Sequence, residues 1–228
     1  MSFAIKINCI ILALISSSLS VVCSSSKPPL PCRRHVNDQM KIALTFDDGP
    51  DKNYTEEILD ILNEYGIKAT FFVIGKNCEE NPDILKRIAN EGHEIGNHTY
   101  SHPHLSKLSR NSLEEEIIKT ENIVEDITGV KTSLFRPPEG VYSKNIAETS
   151  YALSYRAILW SVDTTDWKSP KADKIAQVVM DNTRSGVIIL CHDYIAGESN
   201  TPAALRMFIP RLIQQGYVFV TVSELICL

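Results

Sequence analysis

Apolar runs of strand length alternate along this chain with stretches of helical period, and no other feature restricts the fold as much. The strand candidates are residues 42–46, 70–74, 94–95, 133–135, 156–161, 187–190 and 217–222. Helix candidates fall between them at 55–65, 82–90, 112–128, 144–153, 173–182 and 202–215. Over 112–128 the stripe Leu113, Ile117, Val124 and Ile127 lies opposite Glu114, Glu115, Lys119 and Glu125, as an amphipathic helix requires. Asn81 before Pro82 reads as an N-cap followed by a first-turn proline. Gly66, Gly92, Gly129 and Gly216 stand where helices should end. Strands that alternate with helices pair in parallel and are covered by those helices, which makes the class α/β. An open doubly wound sheet and a barrel both satisfy the pattern, and periodicity does not separate them. No GxGxxG or GxxxxGKS/T follows any strand, so nucleotide cofactors lack their usual signature.

The 228 residues, 43% hydrophobic, suit one domain with a sizeable core. A net charge of −5 gives no electrostatic case for nucleic acid. The first residues differ from the rest. Lys6 precedes the apolar stretch "INCIILALISSSLSVVC" and then small residues, the pattern of a secretory signal peptide. The expected organisation is a signal peptide over 1–23, cleaved somewhere between Ser18 and Ser26, and a polar, Pro-rich leader over 24–40. The domain then occupies 41–228. Beyond the signal no apolar run approaches the roughly 20 residues that span a bilayer. The mature chain is therefore expected without a membrane span, secreted to the cell wall or cell surface.

Removing the signal removes Cys9 and Cys23 and leaves Cys32, Cys78, Cys191 and Cys227. A disulfide between Cys32 and Cys227 is the preferred pairing, because the ends of a domain are often close and export tolerates disulfides. Asn53 and Asn97 match the glycosylation acceptor pattern, but a glycan is not expected on Asn97, because a metal ligand at His98 would hold it close to the site.

In either architecture function gathers beyond the carboxyl ends of the strands. Asp47 and Asp48 follow the first strand, His98 and His102 the third, and Arg136 the fourth. Asp163 and Asp166 follow the fifth, and His192 and Asp193 the sixth, so these residues should converge on one rim. Neighbouring aspartates inside a strand would face opposite ways. Gly49 and Pro50 must therefore turn the chain where Asp47 and Asp48 sit. His98 and His102 are spaced i, i+4, which sets two imidazoles on one side of a helical turn. With Asp48 they make a His₂Asp set that suits zinc with an open position, and cobalt as a substitute. Asp47 is then free to take a proton from the attacking water. His192, following the buried run "VIILC", is the second candidate for proton transfer, with Asp166 as its orienting partner. Arg136 can pair with Asp47. His104 reads as a bystander.

Together these motifs resemble the polysaccharide deacetylase family, the NodB-homology domain of carbohydrate esterase family 4. "TFDDGP" (45–50), "HTYSH" (98–102), "RPPEG" (136–140), "DTTDW" (163–167) and "LCH" (190–192) match its five motifs in order. The resemblance implies a distorted (β/α) barrel, usually of seven parallel strands with outer helices. It implies metal-dependent removal of N-acetyl groups from N-acetylglucosamine polymers such as chitin or chito-oligosaccharides. Carried over by motif position, Asp47 is the base, Asp48, His98 and His102 are metal ligands, and Arg136 orients the base. His192 is the general acid, tuned by Asp166, while Trp167 and Leu190 wall the slot for the acetyl methyl. One position departs from the pattern. Glu139 stands where the third motif usually has tyrosine, whose backbone N–H helps hold the oxyanion. A catalytically impaired protein that keeps the fold and binds glycan is therefore the alternative expectation.

Overall fold

The structure, a computed structural model, describes residues 27–35 and 39–227. The expected signal peptide over 1–23 lies outside the described residues. The strands are β1 (Lys41–Asp47), β2 (Thr70–Val73), β3 (Glu94–Asn97), β4 (Leu134–Phe135), β5 (Arg156–Ala157), β6 (Val162–Asp163), β7 (Ile188–His192) and β8 (Val218–Val220). The helices are α1 (Thr55–Glu64), α2 (Gly75–Glu80), α3 (Pro82–Asn90), α4 (Arg110–Thr128), α5 (Lys144–Ala152), α6 (Ala172–Asn182), α7 (Thr201–Gln214) and α8 (Val222–Ile226).

The sheet runs β5-β4-β3-β2-β1-β7-β6, with β8 pairing the start of β1, and its strand pairings are parallel. Of the run at 156–161, expected as one strand, only Arg156–Ala157 pairs in the sheet, as β5, and β6 begins just beyond the run at Val162. Because β5 pairs β4 and β6 pairs β7, these two strands, four residues apart in the chain, sit at opposite edges of the sheet. The sheet therefore curls until one short stretch of chain spans the gap between its edges, and the seven strand runs form a half-barrel. Residues 158–161 cross that gap instead of extending either strand. Ile158 meets Cys32 in an isolated parallel bridge, and Ser161 donates its N–H to Ile188 O at 3.1 Å.

Core packing follows the period-two rule. Ile42, Leu44, Phe46, Phe71, Ile189 and Cys191 face outward into a cluster shared with helices α1, α3, α6 and α7. Ala43, Phe72, Leu134, Ile158 and Ile188 face into the curl and form a smaller second cluster. A central strand covered on both faces is apolar throughout, and β1 is buried along nearly its whole length.

Three local expectations change. The Asn81 side chain does not cap α3; its amide donates to Pro50 O and Asn77 O, both at 3.1 Å. The leader is not wholly separate, since Arg34 bridges Val187 and donates to Ser185 O, and Tyr142 donates to Pro29 O. The Cys32–Cys227 disulfide is not formed, and Cys32, Cys78, Cys191 and Cys227 carry free thiols. The Cys32 thiol is directed at Arg34 O in its own segment, Cys227 ends α8 exposed, and Cys78 and Cys191 are buried in the outer cluster. Asn97, where no glycan is expected, is fully buried. Its buried amide donates to Ile117 O at 2.9 Å.

Candidate active site

Strand register puts the first two groups together. With Ala43 on the inner face, Thr45 and Asp47 follow it there. The parallel pairing of β1 with β7 sets Ala43 beside Ile188, Thr45 beside Leu190 and Asp47 beside His192. Asp47 and His192 are therefore neighbours at the open end of the curl. Asp48 would point the other way if the strand continued. Instead it is left-handed, at φ 79°, and lines the same cavity as Asp47. That conformation costs a non-glycine residue on the order of 1–3 kcal/mol and needs support. Asn77 donates to Asp48 O at 2.6 Å, and the Gly49 N–H donates to Asp193 Oδ1 at 2.9 Å. Gly49 has no room for a side chain, because a Cβ would lie 2.0 Å from the Asp193 carboxylate. Burial pushes the Asp193 carboxyl up to about 7, against the hydrogen bonds from Thr55 and Gly49.

His98 follows β3 directly, and His102 arrives by a loop. The i, i+4 pair is not on a helical turn as the spacing suggested. Thr99 at φ 70° and His102 at φ 52° are both left-handed, and they fold the loop back so that the imidazole centroids lie 5.1 Å apart. His98 Nε2 is 3.4 Å and His102 Nε2 3.5 Å from the same Asp48 oxygen, Oδ1. That buried oxygen accepts no hydrogen bond. One donor atom from each of the three residues lies within 4.8 Å of the others.

The set fits a divalent cation. Orphaned buried oxygens are costly in proteins, and a cation satisfies this one. His98 Nδ1 lies 2.7 Å from Arg136 O; a carbonyl only accepts, so Nδ1 carries the hydrogen and Nε2 is left with its lone pair. The electrostatics favour positive charge at this point. Burial works to lower the His98 pKa, but Asp47 and Asp48 raise it, and Asp48 is lowered by the histidines against its own burial. Burial and the neighbouring His98 push His102 down.

Two buried pairs back the site. Arg136, fully buried, donates through Nη1 to Asp47 Oδ1 at 2.6 Å and to Thr45 Oγ1 at 2.8 Å, with its guanidinium 4.0 Å from the Phe72 ring. Removing one partner of such a pair costs about 3–5 kcal/mol, because it leaves an uncompensated buried charge. Asp166, fully buried, accepts from His192 Nδ1 at 2.7 Å, from the His192 N–H at 2.8 Å and from Thr201 Oγ1 at 2.7 Å. Burial alone would lower His192, but the hydrogen bond and charge of Asp166, with Asp47 and Asp48 beyond, raise it to about 9.

The cavity in front of these groups has a volume of about 470 Å³. Leu190, Trp167 and Glu139 line it, and so do Asp163 and Trp160. Trp167 is 52% exposed, so it is not a core residue. Arg136 and Asp166 stand behind the wall and reach the cavity through Asp47 and His192. Sequence reading missed Trp160 because it sits inside the run taken as one strand. His104 does not line the cavity but lies beside Glu139. Its Nδ1 is 3.3 Å from Glu139 Oε1 at the mouth, and both side chains are more than half exposed.

The sequence model for polysaccharide deacetylases matches residues 34–158. A peptidoglycan-N-acetylglucosamine deacetylase of Bacillus cereus is 43% identical over 192 residues, covering 83% of this chain and 90% of that protein. A chitooligosaccharide deacetylase of Sinorhizobium fredii is 35% identical over 188 residues, 78% of this chain and 87% of that one. Among solved structures, the Bc1960 peptidoglycan N-acetylglucosamine deacetylase superposes with a TM-score of 0.83 at 42% identity, covering 85% of this chain and 91% of that one. BA3943, a carbohydrate esterase family 4 pseudoenzyme from Bacillus anthracis, superposes at 0.81 with 33% identity, over 87% of this chain and 69% of that one.

Proposed function

The chain belongs to the polysaccharide deacetylase family, and we propose that it is a secreted, metal-dependent hydrolase that removes N-acetyl groups from N-acetylglucosamine residues of chitin or chito-oligosaccharides. One observation carries this reading. Asp48, His98 and His102 meet at a single point, and Asp47 and its strand neighbour His192 line the same cavity.

The geometry supports the following roles. Asp48, His98 and His102 would hold the cation, zinc in the first instance and cobalt as its substitute. When bound, it polarises the acetamide carbonyl and lowers the pKa of the attacking water. Asp47 takes the proton of that water. Its Oδ1 is held by Arg136 while Oδ2 lies 3.8 Å from His98 Nε2, so Oδ2 is the oxygen presented to the site. Water oxygen bonds to the carbonyl carbon, the C–N bond breaks, and acetate and a sugar amine leave. The departing nitrogen needs a proton, and His192 supplies it from Nε2 while Asp166 engages Nδ1. Trp167 and Leu190 form the apolar walls for the methyl group.

Glu139 favours a second reading, a silent glycan-binding relative. Two features favour activity instead. The Glu139 N–H has no backbone acceptor among the described residues and stays available to an oxyanion. Its carboxylate is engaged by His104 at the mouth and is not among the groups that meet at the cation point.

The test is acetate release from chito-oligosaccharides and from peptidoglycan glycan fragments, with added zinc or cobalt. We expect metal-stimulated release that a chelator abolishes and metal restores. The site acts on the acetamido group, so the ratio of rates on the two glycans identifies the polymer. Glycan binding without acetate on any substrate or metal would replace the enzyme by the silent relative.

A further inference from the structure

We propose that Glu116, on α4, is a positioning residue that fixes His102 for cation binding. This rests on the reading of Asp48, His98 and His102 as ligands. His98 is held through its own ring by Arg136 O, whereas His102 depends on the loop that carries it. Between the left-handed residues Thr99 and His102 lie Tyr100 and Ser101, and both are gripped by one carboxylate. Glu116 Oε2 accepts the backbone N–H of Tyr100 at 2.9 Å and of Ser101 at 2.8 Å, and Oε1 accepts the Ser101 hydroxyl at 2.8 Å.

The rest of the loop is docked on either side of this grip. Thr99 O accepts from Gly75 N and Tyr100 O from Lys76 N, both at 3.0 Å, which ties the loop to α2. The His102 N–H donates to Thr99 Oγ1 at 3.2 Å. A loop with two left-handed non-glycine residues persists only where its surroundings overdetermine it. Two adjacent peptide N–H groups aimed at one oxygen are what keep it there. Without Glu116, Tyr100 and Ser101 lose their acceptor, the backbone relaxes toward ordinary dihedral angles, and His102 leaves the point it shares with His98 and Asp48. Groups that orient metal ligands in this way typically change affinity by about 10- to 100-fold when removed.

The experiment measures zinc affinity of the full chain by competition with a chromophoric chelator, for wild type, Glu116→Ala, Glu116→Gln and the exposed control Glu115→Ala. Glu116→Ala is expected to bind zinc about 10- to 100-fold more weakly. Glu116→Gln stays close to wild type, because its amide oxygen can accept both N–H groups while its NH₂ donates to the Ser101 hydroxyl. Glu115→Ala is unchanged. Should the alanine protein not fold, Glu116→Asp replaces it: one carbon shorter with its charge kept, it should still bind more weakly. Wild-type affinity in Glu116→Ala, or in Glu116→Asp where that variant stands in, would overturn the assignment. So would a Glu116→Gln protein as weak as Glu116→Ala, since charge and not loop geometry would then be responsible. If wild type itself binds no zinc, the ligand reading fails and not the role of Glu116 alone.

Discussion

Exchanging Asp47 for asparagine lowers acetate release by roughly a hundred- to ten-thousand-fold, the usual contribution of a positioned base, and leaves zinc binding in place. The two carboxylate oxygens have different tasks. Oδ1 receives the Arg136 guanidinium at 2.6 Å, and Oδ2 faces the ligand cluster, 3.8 Å from His98 Nε2. An asparagine that keeps its oxygen on Arg136 places an NH₂ where Oδ2 was. A donor then stands where an acceptor is required, and no proton can be taken from water. Asp48, His98 and His102 are untouched, so metal content should be preserved. Arg136 keeps a hydrogen bond but loses its anion inside the core, so the melting temperature should fall and assays belong well below it. Turnover within about tenfold of wild type, with metal bound, would remove Asp47 from the role of base.

What made such a site legible was alternation combined with parallel pairing. Once residues 42–46 and 187–190 are read as buried parallel strands, their carboxyl ends must lie together, and the groups that follow them share one face of the fold. The sequence does not contain the register, and it is the register that makes Asp47 and His192 direct neighbours. Nor does the spacing of His98 and His102 say how they meet. A helical turn and a left-handed loop both satisfy i, i+4, and the loop is what forms. Short elements escaped for a plain reason. α2 has six residues with only Gly75 and Cys78 buried, and α8 has five, so neither completes a periodic pattern. The break at 158–161 was hidden because Ile158 and Leu159 are as buried as strand residues and differ only in which neighbours they bond. Glu116 is absent from the polar face read for α4, and His104 belongs to none of the motifs. Each meets its partner only across a gap in sequence, and no local pattern records that.

Replacing His192 by alanine separates its role as acid from any structural one, because the demand for an acid depends on the leaving group. An amine departs from the acetamide only with a proton, so hydrolysis of the glycan falls by roughly a hundred- to ten-thousand-fold. An aryl oxide departs without one, so hydrolysis of 4-nitrophenyl acetate should fall by no more than about tenfold. Equal losses on both substrates would show that His192 organises the cleft instead of donating a proton. Asp166→Asn then tests the tuning. The carboxylate of Asp166 is what outweighs burial and raises His192 to about 9. An acid works while protonated, so its activity falls as pH rises through its pKa. Removing Asp166 lowers that pKa and moves the alkaline limb of kcat/KM to lower pH, with a larger loss at pH 8 than at pH 6. Stability follows the same sign. A histidine raised above its ordinary value of 6.5 contributes stability that is full below 6.5 and is lost as pH rises through about 9. Asp166→Asn should therefore flatten the fall in melting temperature between those values. An alkaline limb that stays where it was would mean that another group supplies the proton.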